Sequence, residues 1–201
     1  MNDKEFFNDY IKVFLKQNSV LNLISKNDEK FLWEKHIYDS LSFEKFVDIY
    51  NIDAKGMTLL DIGTGGGFPS IPIALKYPEI EVFALDSIKK KINAIENIKS
   101  ELNIKNLHTI CDRAENLSAK FDIITSRAVA PLKVIINYAM PLLKQDGYFI
   151  AYKSIKTEEE MKDAKSVLKK YKSEIVNIIK YDLPLSENYT RNLIIVKFCK
   201  V

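Results

Sequence analysis

"LLDIGTGGGFPSIPIA", residues 59–74, holds four of the chain's six glycines within the five positions Gly63 to Gly67. Glycine weakens strand and helix interiors, so such a cluster needs a local reason. Either the backbone turns where a Cβ would clash, or a ligand lies directly against the main chain. The flanks suit both. "MTLL" (57–60) reads as a buried strand running into Asp61, and Pro69 to Tyr77 reads as a helix with Pro69 at its first position. Strand, glycine turn and helix start together predict a nucleotide-type binding loop.

The spacing of the glycines narrows the ligand. A P-loop needs Gly-Lys-Ser/Thr, and here Gly67 is followed by Phe68 and Pro69. A dinucleotide site needs G-x-G-x-x-G, but the frame from Gly63 ends on Phe68 and the frame from Gly65 ends on Ser70. The stretch does match D-x-G-x-G-x-G through Asp61, Gly63, Gly65 and Gly67. A carboxylate in the loop would repel a pyrophosphate but suits a ligand carrying an ammonium and a sulfonium. That ligand is S-adenosylmethionine. The competing reading is a structural glycine turn in an unrelated α/β domain.

At 201 residues and 47% hydrophobic, the chain is long enough for one domain with a full core, or one domain with an extension. No apolar run approaches the roughly 18 residues of a membrane span. "MNDKEFF" is charged rather than signal-like, so a soluble cytoplasmic protein is expected. Cys111 and Cys199 are far apart with no C-x-x-C, and His36 and His108 are the two histidines, so neither a disulfide framework nor a metal centre is expected. The net charge of +3 permits nucleic-acid binding without demanding it. Of 30 basic residues only three are arginine, at 113, 127 and 191. In a chain this rich in lysine, the retained arginines point to places where a planar guanidinium matters, Arg127 and Arg191 above all, with chance retention the competing reading, evenly balanced at Arg113.

Residues 3 to about 50 read as helices, with Phe6, Phe7, Tyr10, Phe14 and Leu21 near helical spacing. From 57 onward strand and helix alternate, which predicts a parallel α/β sheet. "EVFALD" (81–86), "LHTI" (107–110), "FDIITSRA" (121–128) and "GYFIAYK" (147–153) supply strands two to five. A helix opening at Pro131 precedes the fifth. A charged helix from about 156 to 171 precedes "EIVNIIKY" and "RNLIIVKF", read as a closing hairpin. The expected architecture is the seven-stranded, Rossmann-like methyltransferase sheet, with residues 1–55 as a helical extension and 56–201 as the methyltransferase domain.

Ligands of such sheets lie above the carboxyl ends of the strands. Asp86 ends strand two, 25 residues after Asp61, where it can accept both ribose hydroxyls. "DRAEN" follows strand three and places Ala114 and Glu115 to read adenine. "SRA" follows strand four, so Arg127 should face the methyl group and the incoming substrate, in a positioning role without acid–base chemistry. Structural readings compete: Asp86 as a helix cap, Glu115 as a solvated turn, Arg127 as a buried tie to a neighbouring acid.

The end of strand four also excludes chemistry. Methylation of exocyclic amines commonly uses Asn/Asp-Pro-Pro-aromatic here, and the chain reads "SRAVAPL". Methylation of pyrimidine carbon five needs a nucleophilic cysteine, and neither cysteine is placed for it. Ring nitrogens with an in-plane lone pair remain, guanine N7 foremost. Such an acceptor needs alignment rather than a base.

"NLIS…HIYDSL", the glycine loop, "LDSIKKK", "RAEN", "SRAVA", "AYK" and "RNLIIVKF" resemble, in order and over nearly the whole chain, the bacterial 16S rRNA guanine-N7 methyltransferase family known as glucose-inhibited division protein B. GFP-x-IP-x-A and "SRAVA" are its specific parts. The resemblance implies cofactor contacts at Gly63, Phe68, Ala114, Glu115 and Arg127. It also implies 16S rRNA or the small ribosomal subunit as partner, with guanine 527 of that RNA in its standard numbering as the target. Two departures are visible: a short segment between Glu115 and Phe121, which bears on the rim of the adenine pocket, and Ser25 where the family often has threonine.

Lys89, Lys90 and Lys91 open a helix, where the dipole disfavours cations. They read as RNA phosphate contacts or as three solvated lysines. Lys153 of "AYK" and Arg191 of "RNLIIVKF" are assigned to the RNA with them. A monomer without membrane or metal partners is expected. Two other functions compete with RNA methylation: a small-molecule methyltransferase with the N-terminal helices as a lid, and a binding protein without turnover.

Overall fold

A computed structural model of the chain describes residues 3–155, 157–186 and 189–199. A seven-stranded sheet forms its centre, from β1 (Thr58–Ile62), β2 (Glu81–Leu85), β3 (Leu107–Ile110), β4 (Phe121–Arg127), β5 (Leu143–Ser154), β6 (Ser173–Leu183) and β7 (Tyr189–Phe198). Their order is β3-β2-β1-β4-β5-β7-β6. The first five pair in parallel, and β7 lies antiparallel between β5 and β6. The closing hairpin is therefore present, inserted so that its second strand pairs inward.

Strand side chains alternate between faces, and the apolar runs fill both. Leu59, Val82, Ile123, Ile150 and Ile195 enter one core cluster, while their neighbours Leu60, Ile124, Phe149 and Ile194 enter the other. Helices α1 (Asn8–Leu21), α2 (Phe43–Tyr50), α3 (Ser70–Lys76) and α4 (Lys89–Glu101) bring Phe14, Phe46, Ile73 and Ile95 to the first face. Helices α5 (Leu132–Ala139) and α6 (Glu158–Lys170) bring Ile136 and Leu168 to the second. The N-terminal helices share one core with the sheet: Phe7, Tyr10 and Phe14 are at most 2% exposed in the same cluster as Leu59.

Local chemistry sets the element ends. Three glutamates open α6 and two lysines close it, complementing the helix dipole. The start expected for it near 156 lies outside the described residues. Helix α3 begins at Ser70 rather than Pro69. Pro69 takes φ −90° with ψ 1°, so it precedes the helix instead of opening it. Helix α5 stops at Ala139 because Pro141 cannot continue it, and a short 3-10 turn (Met140–Leu142) leads into β5. That strand starts at Leu143, four residues before the expected Gly147, through a bulge opposite Phe121–Ile123. A π-helical turn, Leu32–Tyr38, interrupts the N-terminal helices.

Candidate functional site

Strand β1 lies between β2 and β4, so the sheet reverses its direction of growth at the carboxyl end of β1. This is the position where open α/β sheets bind ligands. Two cavities open there. One, of about 390 Å³, is lined by Asp86, Ala114, Glu115, Val129 and Tyr138 among others. The other, of about 420 Å³, is lined by His36, Asp39, Gly65, Phe68, Arg127 and Arg191 among others. Gly63, Lys91 and Ala128 line both, so the two form one cleft with a waist at the glycine loop.

The glycines divide their work. Gly65 sits at φ +60°, and an added Cβ would meet nothing closer than the Gly63 carbonyl at 3.9 Å, leaving the main chain open to the cleft. Gly67 sits at φ +90°, and its added Cβ would lie 2.4 Å from Ile71 Cδ1. Gly67 lines neither lobe, and its lack of a Cβ lets α3 close on the loop. Asp61 sits further back. Its carboxylate is fully buried behind the loop and lines neither lobe. Oδ1 accepts from the Thr125 hydroxyl at 2.9 Å. Burial pushes its pKa up to about 6 against the opposing pull of Thr64, Thr125 and Arg127.

Asp86 faces the first lobe and serves as a clamp as well. Oδ1 accepts from the Ile88 amide at 2.9 Å and Oδ2 from the Gly65 amide at 3.0 Å, so Asp86 ties the turn before α4 to the glycine loop, while the helix itself has Ile88 as N-cap without a side-chain bond. Each carboxylate oxygen keeps a second lone pair for a ligand donor. Ala114 and Glu115 stand on a 3-10 turn, Ala114–Asn116, on the opposite wall. An acid beside an apolar wall at one end, and exposed glycine backbone at the waist, fit a nucleoside joined to an amino acid. S-adenosylmethionine is such a molecule, and its chemistry when bound is an electrophilic methyl on a sulfonium.

Arg127 joins the second lobe to the N-terminal helices. Nη1 donates to Asp39 Oδ2 at 2.9 Å and to the Lys35 carbonyl at 3.1 Å. Nη2 donates to His36 Nδ1 at 3.0 Å, and the guanidinium lies 5.2 Å from the Phe68 ring centroid. The tie to a neighbouring acid is therefore real, and it is made on the wall of the cleft. Because arginine has no acceptor, His36 must present a bare Nδ1 and carry its proton on Nε2. Burial and the Arg127 charge hold the His36 pKa down to about 4, so the ring is neutral. Asp39 Oδ1 accepts from the Tyr181 hydroxyl at 2.6 Å and lies 3.5 Å from Arg191 Nε. Burial and Asp39 raise the Tyr181 pKa, which keeps the hydroxyl a donor.

His36, Asp39 and Tyr181 had no assigned role in the sequence. The available signal was "KHIYD", where Lys35, His36 and Asp39 interrupt an apolar helical run. Among the lysines, Lys89 and Lys90 are exposed at the start of α4. Lys91 approaches Asp86 at 3.7 Å, which supplies the compensation missing from the sequence pattern. Lys153, assigned to the RNA from the sequence, is 13% exposed and donates to Glu160 at 2.6 Å and to the Ala130 carbonyl at 2.8 Å, so it braces the loop after β4. Among the described residues no three His, Cys, Asp or Glu side chains converge as a metal site, and no helix is long and apolar enough to cross a membrane.

The GidB family model, described as rRNA small subunit methyltransferase G, matches residues 3–190. A ribosomal RNA small subunit methyltransferase G of Streptococcus agalactiae is 37% identical over 199 residues, covering 96% of this chain and 82% of that protein. Its namesake in Listeria monocytogenes is 33% identical over 196 residues, covering 94% and 80%. Among solved structures, the precorrin-6y C5,15-methyltransferase of Geobacter metallireducens superposes with a TM-score of 0.60 at 15% identity, covering 89% of this chain and 91% of that one. That likeness shows the Rossmann-like methyltransferase fold. The chain belongs to the GidB family, the S-adenosylmethionine-dependent rRNA small subunit methyltransferases G.

Proposed function

We propose that this enzyme methylates N7 of a guanine in 16S rRNA, at position 527, within the cytoplasm. The observation that carries the N7 assignment is the state of the titratable groups lining the second lobe. His36 is neutral and gives its Nδ1 to Arg127. Asp39 is held by Arg127 and Tyr181, and Asp28 by Lys35 at 3.0 Å. No side chain there stands ready to take a proton, which suits an acceptor that has none to lose.

Asp86, Ala114 and Glu115 hold the adenosine end of the cofactor in this reading, while Gly63 and Gly65 give its amino-acid end access to the main chain. Phe68 and Arg127 form the wall toward the substrate, with Arg127 positioning rather than exchanging protons. Lys89 and Lys90 lead RNA phosphates to the cleft, and residues 1–55 act as an extension of the RNA-binding wall. The small-molecule alternative has the family relationship against it.

The test is methyl transfer from labelled S-adenosylmethionine to total RNA of a deletion strain, followed by mapping. N7-methylguanine at one site of 16S rRNA is expected. A label on an exocyclic amine, on a pyrimidine or on the ribose would overturn the N7 assignment.

A further inference from the structure

Asp39 stands where three parts of the chain meet: the N-terminal helices, β4 through Arg127 and β7 through Arg191. It is 2% exposed. Its single negative charge faces two guanidiniums, at 2.9 Å and 3.5 Å. The lobe's other charged side chains are already matched, Lys35 to Asp28 at 3.0 Å and Lys91 to Asp86 at 3.7 Å. His36 adds no charge. Two guanidiniums thus share one acid of the lobe and are only 12% and 18% exposed, while the Asp61 carboxylate behind the loop also acts on Arg127. Guanidiniums gathered in a partly dry lobe give an entering anion strong, charge-assisted hydrogen bonds. The buried Nε of Arg191 also lacks a hydrogen-bond acceptor.

We propose that Arg127 and Arg191 form a paired guanidinium receptor for one phosphodiester of the RNA beside the target nucleotide, and that Asp39 is the positioning residue that aims both. The proposal rests on rRNA being the substrate, and not on which atom of the guanine is methylated. Planar forks suit phosphate oxygens bidentately, and a lysine-rich chain keeps two of its three arginines here. Gly65, where the amino-acid end of the cofactor lies, lines the same lobe, so the cofactor's carboxylate is the rival anion that the experiment has to separate from RNA. Arg191, Tyr189 and Leu183 bring the β6–β7 hairpin to this lobe, on the far side of the glycine loop from Asp86 and Ala114. Tyr181 and Arg127 donate to the two oxygens of Asp39 and so hold the carboxylate that fixes the pair.

The experiment separates binding from positioning. Arg191→Gln is titrated with a 16S rRNA fragment across a salt series, and the slope of log affinity against log salt should fall by about 0.7–0.9, the loss of one phosphate contact. Its affinity for S-adenosylmethionine, by calorimetry, should stay unchanged. Asp39→Asn leaves both guanidiniums charged but unheld, so RNA affinity should persist while kcat drops about tenfold or more through misalignment. Tyr181→Phe keeps the charge balance, serves where Asp39→Asn fails to fold, and should lower kcat in the same direction by less. An unchanged salt slope in Arg191→Gln, or a loss that appears as weaker cofactor binding, overturns the receptor. Variants of Asp39 and Tyr181 that melt earlier yet keep full kcat per folded molecule overturn the positioning role. Because the salt slope is read without methyl transfer, a wrong N7 assignment would leave it untouched.

Discussion

The two lobes of the cleft are built in different ways. The first is made from residues that directly follow strands: Asp86 after β2, Ala114 and Glu115 after β3, Ala128 and Val129 after β4. The second gathers His36 and Asp39 from the N-terminal helices, Phe68 from the glycine loop, Arg127 from β4 and Arg191 from β7. The first is thus a property of the sheet edge that any fold of this class has. The second is a composite, held by ion pairs and rings between distant segments, and it is where substrate selection can be written. The contrast makes different variants fail differently.

The largest effect is expected at Phe68, which is 3% exposed and joins the loop to the composite lobe. Its ring lies 5.0 Å from Phe14 and 5.1 Å from His36. Phe68→Ala should cost about 3–5 kcal/mol in chemical denaturation. Hydrogen exchange should rise along α1 before it rises in β1 to β3. A cost below about 1 kcal/mol would mean that the N-terminal helices do not depend on the loop, and the contrast between lobes would break.

The next effect is a pair of opposed pH dependences. The Asp61 carboxyl, near 3.8 when unfolded, is raised to about 6 in the folded protein. Between those values the folded state binds more protons, so this group makes stability fall as pH rises from about 4 to 6, on the order of 3 kcal/mol in all. His36 is lowered from 6.5 to about 4, so between those values the unfolded state binds more protons. Its contribution makes stability rise over nearly the same window and is lost as pH falls through it. The two slopes offset in the natural protein. In Asp61→Asn, stability should climb with pH from 4.5 to 6.5, and in His36→Gln it should fall. Denaturant melts at the two pH values decide the matter, and parallel curves for the two variants would refute both assignments.

The smallest effect sharpens the division within the loop. Gly67→Ala forces a Cβ against Ile71 and should destabilise by about 1–3 kcal/mol. Gly65→Ala meets open space and should cost about 1–2 kcal/mol for its left-handed backbone. Its main consequence should be on cofactor affinity, measured by calorimetry. Equal cofactor losses in the two variants would mean that Gly67 also faces the ligand.

Reading the sheet from the sequence worked because strand and helix periods are local. The alternation of Leu59 with Leu60, or Ile194 with Ile195, requires only that successive side chains point to opposite faces. The spacing of Asp61, Gly63, Gly65 and Gly67 likewise fixed a turn between β1 and α3, and each strand end fixed a wall of the first lobe. What spacing cannot show is which way each residue of the motif faces. Asp61 and Gly67 share one pattern with Gly65, yet the fold turns them into the core and leaves Gly65 on the cleft.

The scarcity of arginine pointed to Arg127 and Arg191 without saying what they meet. The sequence assigns Lys153 to the RNA without showing that α6 brings Glu160 beside it. Asp39 and Arg127 are 88 positions apart, and Asp39 and Tyr181 are 142 apart. No local propensity links such residues. Their pairing exists only because burial of the apolar faces brings the N-terminal helices, β4 and the closing hairpin together, and removal from water then makes each charge depend on the partner that packing supplies.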